Sequence, residues 1–192
     1  MAALIAEVRR LAHAGLDEHT LGITTYWTDD QLQERLDRYR KSYRRVDLEA
    51  LPEYTDGGYV YKEYPIPLGD EGVWLERGSA TVDAAAGFAI RDSAGGSAPA
   101  NTVNWEARVI TFGGDQAAEV YYLDARVYDV YRAAADVWED KAGFYEDEVD
   151  WQSDNHRFAD SQKAAHAREK AEALRRQSGA GVSRLVRTDV LP

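Results

Sequence analysis

Cysteine is absent from this 192-residue chain. That excludes disulfide staples, cysteine–zinc sites and thiol nucleophiles, and it leaves the redox compartment open. No apolar run approaches the roughly 18 residues that a membrane span requires. The N-terminal MAALIAEVRRLAHAG is too short in its apolar part, and too interrupted by charge, for a secretory leader. The chain therefore reads as cytosolic, or as made in the cytosol and then assembled. Cations are scarce: 23 Lys and Arg stand against 34 Asp and Glu, a net charge of −11. Such a chain repels a phosphate backbone, so a bound duplex is not expected, although DNA sliding past an acidic wall is compatible with it. Catalytic signatures are missing too: no HExxH, GxSxG, P-loop or GxGxxG occurs. His13, His19, His156 and His166 fall at no metal-ligand spacing and read as solvated or structural. The glycine pair in FGGD, Phe112–Asp115, has no following Lys or hydroxyl to cradle a phosphate and reads as a tight turn.

What remains is a folding composition, 44% hydrophobic and 11% aromatic, long enough for one domain carrying an insertion. Leu4, Ile5, Val8, Leu11 and Ala12 lie at helical spacing, and Gly15 ends the run. In TYWTDDQLQERLDRYR, Thr28 is placed to cap a helix and Gln31 to complete a capping box. Asp29 and Asp30 suit the positive end of the helix dipole, and Trp27 with Leu32 suits a hydrophobic staple. The stripe Leu32, Leu36, Tyr39 and Tyr43 predicts a helix over 29–46. Ten of the fifteen glycines then fall between 54 and 120, separating short β-branched and aromatic runs that predict strands. Val127, Val130, Tyr131, Ala134, Val137, Trp138 and Lys141 trace a second stripe, predicting a helix over 123–144. VDWQSDNHRF suggests a small hairpin, and Ala164, Ala167, Ala171 and Leu174 mark the inner face of a last helix over 159–177. These readings amount to an α+β fold: a small antiparallel bundle of about four helices with an inserted β-rich element and an extended C-terminal tail. The divisions are 1–53, 54–120, 121–177 and 178–192.

Three groups of residues invite a functional reading. The acidic cluster Asp136, Glu139, Asp140, Glu146, Asp147, Glu148 and Asp150 follows no EF-hand pattern. It reads first as a solvated or repulsive surface, then as a patch facing a partner or a channel, ahead of paired carboxylates for acid–base work or a divalent-cation site. Tyr59, Tyr61, Trp74 and Trp105 fall in the β-rich element and read as packing, as protein-interface anchors, or as a sugar-binding ladder. In the tail, Val182, Leu185, Val186, Val190 and Leu191 are interleaved with Arg184 and Arg187 after a glycine joint. That segment either straps its own domain or docks onto another chain, for example by adding a strand.

Three stretches together carry a resemblance: YWTDDQLQERLDRYR, YYLDARVYDVYRAAADVWEDKA and FADSQKAAHAREKAEALRRQ. In order and character they resemble the head-to-tail adaptor proteins of tailed bacteriophages, also called head completion or connector proteins. The likeness covers about half of the chain, and the β-rich element is longer here than in all-helical members. The resemblance implies a ring, typically dodecameric, beneath the portal in the virion neck, assembled in the host cytoplasm. Such a ring extends the DNA channel, lets DNA pass without specific binding, and carries the stopper or tail-completion proteins. It implies no enzyme, cofactor, metal or membrane. The last helix and tail would reach the portal, placing contact on Arg184, Leu185, Arg187, Val190 and Leu191. The alternative is a carbohydrate- or ligand-binding module on the β-rich element.

Overall fold

The computed structural model describes residues 1–15, 20–21, 24–68, 73–76, 87–147, 151–153, 156–158 and 160–178. Four helices form one layer: α1 (Ala2–Leu11), α2 (Asp29–Arg38), α3 (Val130–Asp147) and α4 (Asp160–Gln177). Helix α1 buries Leu4, Ile5 and Val8, the expected face. At the start of α2, Thr28 Oγ1 accepts from the Gln31 amide at 3.4 Å and Gln31 Oε1 accepts from the Thr28 amide at 3.0 Å, closing the capping box. A cap of this kind stabilises a helix by about 1 kcal/mol. Trp27 and Leu32 are both buried in the helical core. Helix α4 turns Ala164, Ala167, Ala171 and Leu174 inward, and the small side chains permit close approach. Arg175 pairs with Glu139, and Arg168 with Glu146, so α3 and α4 run antiparallel.

One polar side chain is buried in this layer and a second is partly buried beside it. Lys141, only 1% exposed, donates from Nζ to the His13 carbonyl at 3.0 Å, just past the C-terminus of α1. Its ammonium lies 4.7 Å from the Trp138 ring centroid and 5.1 Å from that of Trp27. The Trp138 indole N–H donates to the Leu11 carbonyl at 3.1 Å. Aromatic faces and helix-end carbonyls thus replace the water that an ammonium would lose on burial.

The strands are β1 (Thr20–Leu21), β2 (Thr24–Thr25), β3 (Arg40–Leu48), β4 (Leu51–Thr55), β5 (Gly58–Pro65), β6 (Val73–Leu75), β7 (Phe88–Arg91), β8 (Asn101–Asn104), β9 (Val109–Phe112), β10 (Tyr121–Asp129), β11 (Trp151–Ser153) and β12 (His156–Phe158). In the first four-stranded sheet β10 is central: β3 lies along one side, and β6 and β7 share the other. The second has the order β4-β5-β9-β8, and both sheets are antiparallel. Strands β1 with β2, and β11 with β12, form separate two-stranded pairs, the latter at the expected VDWQSDNHRF hairpin.

This architecture corrects the expected helical bundle with an inserted β element. The chain is a mixed α+β fold in which two four-stranded sheets stand beside the helices. The helix expected over 29–46 ends at Arg38, and Arg40–Leu48 is strand. The helix expected over 123–144 begins at Val130, and residues 121–129 are strand. Both errors share one cause. A four-residue step, such as Tyr39 to Tyr43 or Leu123 to Val127, satisfies a strand's period of two as well as a helical turn. In β10 the alternation wins: Tyr121, Leu123, Ala125 and Val127 are buried, and the residues between them less so.

A second core lies against these sheets, built from Leu48, Tyr64, Ile66, Phe88, Ile90, Ile110, Phe112, Tyr121, Leu123 and Ala125. Tyr64, Phe112 and Tyr121 are in mutual ring contact at 4.6–5.4 Å. Burial pushes the Tyr121 phenol up to about 12. Strand β10 runs from this core into the helical one, where Tyr128 is buried, and becomes α3 with no intervening loop. Asp129 marks the switch, its Oδ1 accepting from the Arg132 amide at 3.0 Å as a helix cap does. Beside it, Tyr128 donates to the buried carboxylate of Glu76 at 3.2 Å, and the Arg126 guanidinium stands 3.8 Å from the same oxygen. Gly87, at φ +80°, passes directly over that carboxylate.

Candidate interface surfaces

The most distinctive surface is one that the sequence reading passed over. Strand β3 carries Arg40, Lys41, Arg44 and Arg45, four cations within six residues of an acidic chain, and every residue from Arg40 to Arg45 is exposed. The strand lies at the edge of its sheet. Its register with β10 shifts between Leu123 and Ala125, where Arg44 and Arg45 stand opposite Asp124. Such a bulge directs two consecutive side chains to one face. Here Arg44 lines a hollow of about 330 Å³ with Arg91, Asp124 and Arg126, while the Arg45 guanidinium lies 4.6 Å from the Tyr122 ring centroid.

Asp124 fixes the bulge. Its Oδ1 accepts from the Arg45 amide at 2.8 Å and its Oδ2 from Arg91 Nε at 2.9 Å. Arg45 sits at φ +53°, a conformation that costs a non-glycine residue about 1 kcal/mol or more. Partial burial alone would raise the Asp124 carboxyl, but the Arg45 amide and Arg91 outweigh it and hold the group below the usual carboxylate range. A carboxyl depressed on folding stabilises the protein above its unfolded value, and that contribution is lost as pH falls through its folded value. Asp124→Asn is therefore expected to lower stability by about 1–2 kcal/mol at neutral pH. In urea titrations the gap from the wild type should close as the medium becomes more acid than the carboxylate range. A gap that stays constant would show that the charge of Asp124 is not what holds the bulge.

Next along the chain, β4 and β5 form a hairpin of opposite character. Strand β4 is exposed throughout and lies at the edge of the second sheet. Tyr54 and Tyr59 meet edge to face at 5.5 Å near its tip and are 74% and 64% exposed. Tyr59 is thus an outward aromatic, as an interface reading requires. Tyr61 is partly buried, its amide donating to Asp115 Oδ1 at 2.9 Å. The other two expected anchors are packed: Trp74 against the helical core, and Trp105 against Phe88 at 4.8 Å in the β core. The four do not share a face.

The acidic cluster is drawn into ion pairs. Asp140 pairs with Arg35 of α2, Glu146 with Arg168 of α4, and Glu139 with Arg175 at 2.6 Å. Asp136 accepts from the Tyr39 hydroxyl at 2.8 Å and lies 3.9 Å from Arg175. Burial raises the Asp140 carboxyl in spite of Arg35 and a hydrogen bond from Trp27. A groove of about 680 Å³ between α2 and α3 is lined by Trp27, Phe144 and these paired charges. Asp147 ends α3, with its side chain outside the described set, and Glu148 and Asp150 lie outside the described residues. So do the proposed portal contacts Arg184, Leu185, Arg187, Val190 and Leu191. Among the described residues no group of three or more His, Asp or Glu is placed to hold a metal ion, and no helix is long and apolar enough to cross a membrane.

Taken together, fold and surfaces define an α+β protein of two antiparallel sheets and a helical layer, whose polar features are ion pairs and exposed strand edges. No family model, curated protein or solved structure matches the chain.

Proposed function

We propose that this chain is a head-to-tail adaptor of a tailed bacteriophage, a structural protein that forms a ring beneath the portal, extends the DNA channel and carries the stopper or tail-completion proteins. One observation carries the reading. The three stretches that resemble that family are distant in sequence, yet they come together as α2, the β10–α3 segment and α4, joined by the Arg35–Asp140, Arg168–Glu146 and Arg175–Glu139 pairs. Four of the carboxylates that might have served acid–base chemistry, Asp136, Glu139, Asp140 and Glu146, clasp helices instead, which suits a static joint. A sugar-binding ladder is less well supported, because Trp74 and Trp105 lie in different cores.

The test is size-exclusion chromatography with and without the portal protein of the same virus. The chain is expected to co-migrate with the portal as a ring, and failure under every condition would sink the reading. Deleting residues 179–192 should abolish co-migration while leaving the thermal transition of the remaining protein in place. Normal binding by the truncated chain would remove the tail from the portal contact.

A further inference from the structure

We infer that the seam between neighbouring copies of this chain is formed by the basic β3 edge of one copy against the acidic β4–β5 hairpin of the next. This names the partner of the surfaces described above and rests on the ring reading.

Charge provides the first argument. Residues 40–48 carry Arg40, Lys41, Arg44 and Arg45 against Asp47, a net of +3. Residues 49–65 carry Glu49, Glu53, Asp56 and Glu63 against Lys62, a net of −3. Two equal and opposite surfaces thus lie side by side in a chain that is acidic overall.

Backbone provides the second. Both β3 and β4 are edge strands and, apart from Val46 and Leu48, are exposed along their length. Unpaired edges of this kind are templates for another strand, and charge governs which strand they accept. Two β3 edges repel one another, as do two acidic hairpins. The pairing left open is β3 with a hairpin, which joins unlike surfaces. Such an association is head-to-tail, and it closes into a ring when the rotation between copies allows. Where the rotation between copies is two-fold, the same contact forms twice and closes a dimer, which sedimentation separates from a larger ring by its mass.

The third argument is the apolar content of the hairpin. Leu51, Tyr54 and Tyr59 are among the large apolar side chains left most exposed, and all three lie on it. Aromatic anchors ringed by charge are what a protein interface presents. On the receiving side, the bulge held by Asp124 gathers Arg44 and Arg45 on one face beside Arg91 and Arg126, where guanidinium groups can take carboxylates in paired hydrogen bonds.

The experiment is a charge swap on the full chain, read by sedimentation velocity at low and high salt. Lys41→Glu with Arg44→Glu alters the strand at two exposed side chains whose charges act on Asp129 and Asp124 without a direct hydrogen bond to either. Glu53→Arg with Asp56→Arg alters the hairpin, again at two exposed side chains. Each double variant is expected to remain folded, with a cooperative thermal transition, and to self-associate at least about tenfold more weakly at low salt. Mixed together, the two variants should regain association as alternating copies, since the native seam and the charge-reversed one each join a copy of one variant to a copy of the other. The chain carrying all four substitutions should regain self-association.

Self-association that both double variants leave unchanged overturns the seam and leaves the adaptor reading standing. So does a wild type that stays monomeric up to about 1 mM at low salt. Loss of duplex-DNA retention by K41E/R44E, with self-association intact, overturns it in favour of a nucleic-acid face. Charge-dependent assembly by a chain that never joins the portal supports the seam and removes the adaptor reading.

Discussion

Gly87→Val is expected to be strongly destabilising, costing about 4 kcal/mol. Two separate effects add. Gly87 holds φ +80°, a region that a β-branched residue enters only under strain. A Cβ there would also lie 2.6 Å from the Glu76 carboxyl carbon and closer still to its Oε2. The carboxylate has no easy retreat, because Glu76 is buried and accepts from the Tyr128 hydroxyl at 3.2 Å. Moving it would strand the Tyr128 hydroxyl and the acid together in a dry environment. A domain of this size is stable by about 5–15 kcal/mol in total, so the variant should unfold at markedly lower temperature and urea concentration. A melting curve within about 1 kcal/mol of the wild type would show that the Glu76 side chain is free to swing aside.

Lys141 gives the second large effect. Lys141→Ala removes the hydrogen bond to the His13 carbonyl, the contacts with Trp27 and Trp138, and the volume of a side chain only 1% exposed. The expected loss is about 3 kcal/mol, as for other buried truncations. Lys141→Met separates the contributions. It keeps most of the stem that fills the space, loses the charge, and leaves the carbonyl without its donor, for an expected cost of about 1–2 kcal/mol. Equilibrium urea unfolding of both variants checks the ordering. Equal losses would assign the whole effect to the ammonium, whereas a methionine variant as stable as the wild type would assign it to volume alone.

How far this molecule could be read from its sequence differs by element. Helix α2 was legible at its start because Thr28 and Gln31 sit three residues apart, and that spacing has one structural use. Its end was not, because Tyr39 and Tyr43 continue the stripe into what is strand. The inner alanines of α4 and the position of Lys141 on the apolar stripe of α3 were also visible, although nothing in the pattern said that two tryptophans would enclose the ammonium. The acidic residues of α3 looked like a free surface because their arginine partners, Arg35, Arg168 and Arg175, are remote in sequence. The basic run RKSYRR was plain to see but was absorbed into a supposed helix, where it would have been ordinary solvated charge. Only its place at a sheet edge, with a bulge held by Asp124, gives it meaning.

The unbroken passage from β10 into α3 has a mechanical consequence. A single stretch of backbone threads both hydrophobic cores, so a twist applied to the sheets must turn the helices with it. There is no slack segment at Asp129 to absorb the motion. Load borne by one half of the molecule therefore travels to the other along covalent bonds, and the protein behaves as a stiff bracket.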